Sequence, residues 1–349
     1  MPVELLLLFG LAGAGVLLSV AMLCVNMAMA QRARRLAPDP EELPAAEEAT
    51  EATQAPQVQA PEADGLPQTE TRTAAEAPER TQPIFSPLDR SEGGAVLGGL
   101  RVQLDNAQEK GTRAEQQDAF AITPLEEPRV LQTHGVMAVV CDGMGGLEGG
   151  ARAANTAAVQ FMRAYLDAKA ADGQALHQAL LAANEKVFAL AGGKEGSLGT
   201  TLVAAAFSKN GLWFISVGDS HIYLHRNNKL YQLNRDHNYY AVLLEKVEEG
   251  TLSLEEARKH PERAHLTSYL GQREPALVDA NAEPLALRAG DRVVLCSDGL
   301  FKTLPAAKMQ QILSRCRQGA AQELVRAVME AGKPRQDNVT AVVLYMDQV

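Results

Sequence analysis

Cysteine is scarce in this chain of 349 residues. Cys24, Cys141, Cys296 and Cys316 are too few and too scattered for a disulfide framework or a zinc knuckle, and a reducing compartment is the simpler setting for them. Excess basic charge is also lacking. The net charge is -10, and residues 36–82 carry eleven Asp and Glu against only Arg72 and Arg80, so this segment alone accounts for -9. The remainder is close to neutral, which leaves a nucleic-acid-binding surface without electrostatic support. The same segment has seven prolines and no aromatic residue. It buries too little apolar surface to offset the entropy of ordering, and reads as a disordered tether kept extended by its like charges.

What is present falls into two apolar blocks. Leu5 to Val25 contains no charge and almost no polar side chain. At about 1.5 Å per residue it is long enough to cross a hydrocarbon core of about 30 Å. Arg32, Arg34 and Arg35 follow at once, whereas only Glu4 precedes the run. Positive residues beside a span favour the cytoplasmic side, so the expected protein is single-pass in the inner (cytoplasmic) membrane with its body in the cytoplasm. A cleaved signal peptide is the rival reading, because Ala28-Met29-Ala30 before Gln31 resembles a cleavage site. The length of the run and the lack of Lys or Arg ahead of it favour the anchor. The expected division is a transmembrane helix over 1–30, juxtamembrane arginines and linker over 31–94, and a globular domain over 95–349.

In the globular part, short apolar runs alternate with turn residues. Val136 to Val140, Thr201 to Phe207, Leu212 to Val217, Ile222 to Leu224, Arg292 to Cys296 and Val339 to Tyr345 read as strands. Ala151 to Ala168 and Gln174 to Ala191 read as two helices with Gly173 as the break, and Ala321 to Ala331 as another. Lys209-Asn210-Gly211 and Arg226-Asn227-Asn228 are hairpin signals. Strands outnumber crossover helices, which predicts an antiparallel α+β layered domain rather than a doubly wound parallel sheet.

The aspartates fall where these strands end. Asp142 lies in Cys141-Asp142-Gly143-Met144-Gly145-Gly146, Asp298 in Ser297-Asp298-Gly299, and Asp219 in Gly218-Asp219-Ser220, while Asp337 precedes Asn338-Val339-Thr340. If the strand ends converge, so do several negative charges, and such a cluster repels itself unless protons or cations neutralise it. Oxygen ligands without histidine or thiolate favour Mg²⁺ or Mn²⁺ over zinc. Two such ions can share a water, lower its pKa and stabilise in-line attack on phosphorus. One Asp-Gly alone is usually a turn. The set in this order is far more specific.

These residues, from about 98 to 346, resemble the bacterial metal-dependent protein phosphatases of the protein phosphatase 2C type. The resemblance implies an α-β-β-α sandwich with two antiparallel sheets and a metal centre at one edge. Arg113-Ala114-Glu115-Gln116-Gln117-Asp118 is similar to the family's opening motif, whose arginine grips substrate phosphate and whose last aspartate serves a metal. By the same resemblance Asp142 bridges two metals, the Gly143 carbonyl binds one of them, Asp298 and Asp337 complete the pair, and Asp219 belongs to a third ion. Gly199-Thr200-Thr201 matches a strand motif, and residues 236–271, including Asp236-His237 and His260-Pro261, look like the family's flap. The chain departs from the pattern in three places. Gln117 stands where many members carry glutamate, Met144 where animal members carry histidine, and Lys302 where some members place a further aspartate, so that its ammonium displaces or mimics a third cation.

Arg113 suits bidentate phosphate recognition. His237 reads as a residue that packs and orders the flap, and His221 and His225 as solvent-facing. A cysteine-dependent phosphatase needs a phosphate-binding arginine six residues after its thiolate, but Leu147 follows Cys141 and Lys302 follows Cys296 at that distance, so both read as buried hydrophobes. The expected function is hydrolysis of phosphoserine and phosphothreonine on cytoplasmic proteins by a dimetal-activated water, in reversible phosphorylation signalling. The expected partners are substrates of a Ser/Thr kinase, and the catalytic domain is expected to be monomeric. The alternative is a membrane-tethered pseudophosphatase that binds phosphoproteins without turnover, a reading that draws on Gln117 and Lys302.

Overall fold

The computed structural model describes residues 95–125, 127–145 and 149–349. The expected membrane helix over 1–30 and the linker over 31–94 lie outside the described residues. No helix among the described residues is long and apolar enough to cross a membrane.

In chain order the strands are β1 Ala95–Leu97, β2 Leu100–Glu109, β3 Asp118–Ile122, β4 Val136–Met144, β5 Gly199–Thr200, β6 Leu202–Ser208, β7 Gly211–Val217, β8 His221–Arg226, β9 Lys229–Gln232, β10 Asp279–Ala280, β11 Arg292–Cys296 and β12 Val339–Gln348. They form two sheets. One has the order β1-β2-β12-β11-β8-β9, the other β10-β7-β6-β4-β3 with β5 beside β4. All the strand pairs are antiparallel. The helices are α1 Pro128–Thr133, α2 Gly149–Leu166, α3 Gly173–Leu190, α4 Tyr239–Glu248, α5 Leu254–Lys259, α6 Asp298–Phe301, α7 Ala306–Arg315 and α8 Ala320–Glu330.

Side-chain alternation explains the layering. In β4, Val136, Ala138 and Val140 join a core with Val293, Leu295, Val342 and Leu344 of the other sheet. Met137, Val139 and Cys141 point the opposite way, into a core with Ala153, Ala157 and Phe161 of α2 and Leu176 and Leu180 of α3. The other sheet repeats the device: Val294, Cys296, Ala341 and Val343 pack with Leu313 of α7 and Leu324 and Val328 of α8. Strands covered on both faces read as unbroken apolar runs, which is why these were legible. The order of layers is therefore α-β-β-α, as the resemblance implied.

The strand and helix expectations hold, with one correction. Gly173 does not separate the two helices; it begins α3, whose cap is Asp172, and the Asp172 side chain accepts a hydrogen bond from the Ala175 amide at 2.9 Å. Asn227 and Asn228 carry φ of 52° and 57° between β8 and β9, the two positive values that a tight hairpin turn requires.

Candidate active site

Asp118 and Asp142 are direct cross-strand partners in β3 and β4. Residues so paired carry their Cβ atoms roughly 4.5–5.5 Å apart, close enough for two carboxylates to repel strongly. From the other sheet, Asp298 begins α6 directly after β11, and Asp337 precedes β12. Asp219 occupies the turn between β7 and β8. The other four acids lie within electrostatic reach of Asp142: burial pushes its carboxyl well up, and the charges of Asp118, Asp298, Asp219 and Asp337 add to the effect. Burial also raises Asp118, to about 7, against the hydrogen bonds of Ser297 and Thr340. Asp219 rises to about 6 for the same first reason.

Polar residues that the sequence did not single out build the scaffold. Ser297 and Thr340 each donate to Asp118 Oδ2 at 2.7 Å. Both hydroxyls are oriented for this, because Ser297 Oγ accepts from the Thr340 amide and Thr340 Oγ1 accepts from Gln108 Nε2. Asp118 Oδ1 is buried and has no hydrogen-bond partner. The Gly199-Thr200-Thr201 motif grips the other acid: Thr201 Oγ1 accepts from the Asp142 amide, while the Thr201 amide and Thr200 Oγ1 donate to the Asp142 carbonyl, all at 2.9 Å. Ser220 Oγ meets Thr201 Oγ1 at 2.7 Å and ties in the turn of Asp219.

Two glycines are required by close approach. A Cβ on Gly143 would stand 2.1 Å from the Gly150 carbonyl oxygen, and one on Gly299 2.0 Å from that of Asn338. The second contact seats α6, and hence Asp298, against the segment of Asp337. Asn338 in turn holds the loop of Arg113, accepting from the Gln117 amide and donating to the carbonyls of Lys110 and Glu115. An open cleft of about 330 Å³ results, lined by Arg113, Gln117, Asp142, Gly143 and Asp337 among others.

Two side-chain cations stand at the acids. Arg113 donates to Asp337 Oδ2 at 2.6 Å. Lys302 donates to Asp298 Oδ2 at 2.5 Å and lies 3.8 Å from Asp219 Oδ2. Among the described residues no three acidic, histidine or cysteine side chains already converge as a metal-binding group. The donor chemistry nevertheless suits a hard divalent ion: the acids supply only oxygen, and the orphaned, buried Asp118 Oδ1 has a lone pair with no other use.

The histidines required correction. His221 and His225 are not solvent-facing, with exposures of 5% and 4%, because helices cover that face of the sheet. His221 bridges Tyr223 Oη and Asp236 Oδ1, each at 2.6 Å, and stacks on Phe301 of α6; His225 meets Ser314 Oγ of α7. His237 does order the flap: its Nδ1 accepts from the Gly218 amide, and Asp279 Oδ1 lies 3.5 Å from its Nε2. The flap's far end is fixed by reciprocal backbone bonds between Thr200 and Leu270. Cys141 and Cys296 are fully buried and burial raises both thiols, which leaves no thiolate for catalysis.

The profile of the protein phosphatase 2C family matches residues 109–343, which includes every acid of the site. The chain belongs to this family. Its relatives include the serine/threonine protein phosphatase PstP of Mycobacterium tuberculosis, 36% identical over 154 residues, a match spanning 42% of this chain and only 27% of PstP. The protein phosphatase PhpP of Streptococcus pneumoniae is 30% identical over 220 residues, covering 61% of this chain and 86% of PhpP. The crystal structure of the PstP catalytic domain in complex with two manganese ions superposes with a TM-score of 0.56 at 27% identity, covering 71% of this chain and 99% of that one. Within the protein phosphatase 2C family, then, the acid edge of this chain is shared by both sheets.

Proposed function

We propose that this chain is a metal-dependent serine/threonine phosphoprotein phosphatase. The observation that carries the reading is the pairing of Asp118 with Asp142 in one sheet, near Asp298 and Asp337 at strand ends of the other, beside a cleft lined by Arg113, Asp142 and Asp337. The named activities of PstP and PhpP and the two manganese ions of the PstP complex support it. Asp118, Asp142, the Gly143 carbonyl, Asp298 and Asp337 would hold two Mn²⁺ or Mg²⁺ ions, with Asp219 left for a third. Such ions, when bound, supply a water of lowered pKa and charge neutralisation at a phosphoryl group.

The chain's own residues do the rest. Ser297 and Thr340 fix Asp118 Oδ2 and so aim Oδ1 outward from the hydroxyl pair, which presets one ligand oxygen. Thr200 and Thr201 fix the backbone on which Asp142 sits. Arg113 gives one donor to Asp337 and is more than half exposed, and its planar fork suits a phosphate dianion. The substrates on this reading are proteins phosphorylated on serine or threonine by a kinase. Leu5 to Val25 anchors the chain, with Arg32, Arg34 and Arg35 on the cytoplasmic side.

Phosphopeptide hydrolysis by the purified chain, with Mn²⁺, with Mg²⁺ and with chelator, tests the activity. Metal-dependent turnover lost in Asp142→Ala supports it. Phosphopeptide binding without turnover under all three conditions replaces it with the pseudophosphatase. A reporter fused after Val349 tests topology, and activity outside the cytoplasm overturns the anchoring scheme.

A further inference from the structure

Two basic side chains of the protein pair with the acid cluster. Arg113 is paired with Asp337, and Lys302 with Asp298 and more distantly with Asp219. The Lys302 ammonium also feels the charge of Asp142, and the Arg113 guanidinium feels both Asp298 and Asp142. The two cations reach the cluster from separate elements, one from the loop before β3 and the other from the C-terminal end of α6. Each holds an oxygen that a divalent ion would need, Asp337 Oδ2 for Arg113 and Asp298 Oδ2 for Lys302.

Resting on the metal-binding reading above, we propose that Arg113 and Lys302 are built-in competitors of the divalent ions, so that the metals load only by displacing them. The argument is electrostatic. A positive charge a few ångströms from an incoming cation repels it, and the ion pair it makes with a ligand oxygen must be broken before that oxygen can bind. At separations of a few ångströms near a protein surface, even a fraction of the repulsion between two unit charges is a measurable affinity difference. The consequence has an unusual sign. Neutralising either basic side chain tightens metal binding, although Arg113 is at the same time the group best suited to hold substrate phosphate. Metal on Asp337 thereby releases to the substrate phosphate the one Arg113 donor held there.

Mn²⁺ titration calorimetry on the full chain in detergent, after dialysis against chelator, tests this, with Lys302→Gln and Arg113→Gln as neutral variants and Lys302→Arg and Arg113→Lys as charge-keeping ones. The expected result is at least about tenfold tighter Mn²⁺ binding in each neutral variant and wild-type affinity in the charge-keeping pair. Metal-free Lys302→Gln should also melt below the wild type, because Asp298 loses its partner, and saturating Mn²⁺ should close that gap. Equal or weaker Mn²⁺ binding by both neutral variants overturns the competitor role while leaving the metal centre intact, and so does equal tightening by the charge-keeping variants. If the wild type takes up no Mn²⁺ at all, the metal-binding reading itself falls.

Discussion

Asp118 and Asp142 sit opposite each other across β3 and β4, and the charge of Asp118 adds to burial in raising the Asp142 carboxyl. A pair so placed titrates as a unit and is costly when both groups are charged. Replacing Asp142 with Asn removes a ligand oxygen while keeping the shape. We expect Mn²⁺ affinity to fall by more than about 100-fold, beyond the effect typical of an outer-shell partner, and phosphopeptide turnover to fall with it. Calorimetry and a phosphate-release assay read the two losses.

Ser297 and Thr340 both spend their protons on Asp118 Oδ2. Ser297→Ala and Thr340→Val should each weaken Mn²⁺ binding by about 10- to 100-fold without touching any metal directly. Thr340→Val also strips Gln108 Nε2 of an acceptor and should cost about 1–3 kcal/mol in urea unfolding. Full Mn²⁺ affinity in both variants would show that Asp118 needs no such support.

The pH dependence of the metal-free protein has a definite sign. Asp118 is raised from 3.8 to about 7 in the folded chain, first by burial. Its contribution to stability is therefore complete below pH 3.8 and is lost as pH climbs through 7. Asp279 runs the other way: although burial opposes it, the neighbouring His237 ring and the hydrogen-bonded Arg235 guanidinium hold its carboxyl below the usual range, and its contribution is lost only in acid. Melting temperature in chelator should fall between pH 5 and pH 8, and saturating Mn²⁺ should flatten that slope. A slope equally steep with and without Mn²⁺ refutes the assignment to the acid cluster.

Gly143→Ala brings a methyl to 2.1 Å from the Gly150 carbonyl, and Gly299→Ala to 2.0 Å from that of Asn338. Backbone cannot yield as a flexible side chain does. Each substitution should destabilise by about 3 kcal/mol or more in urea unfolding, the upper range for overpacking. The Gly299 change should also lower Mn²⁺ affinity, because it prises α6 and Asp298 away from Asp337.

Legibility followed burial. β4, β6, β11 and β12 announced themselves because both faces of each are covered. β2 escaped notice although it pairs with β12 over ten residues: of Leu100–Glu109 only Val102 is fully buried, and the strand is filled with Gln, Asn and Asp. The acids were readable as Asp beside Gly at strand ends. Ser297, Thr340 and Gln108 were not, since a hydroxyl or amide on a strand declares its use only when its partner arrives from the other sheet. His221 and His225 misled for a related reason: the strand that carries them is roofed by α6 and α7, elements too short and too polar to be foreseen from their own composition.

Because two of the acids belong to one sheet and two to the other, an occupant of that edge is a clasp across the sandwich and not a local brace. Prising the sheets apart requires its release, so occupancy should slow amide hydrogen exchange in β4 and β12 together. The lifetime of the whole domain against proteases would then track the divalent-ion content of its surroundings, with no change in any surface loop.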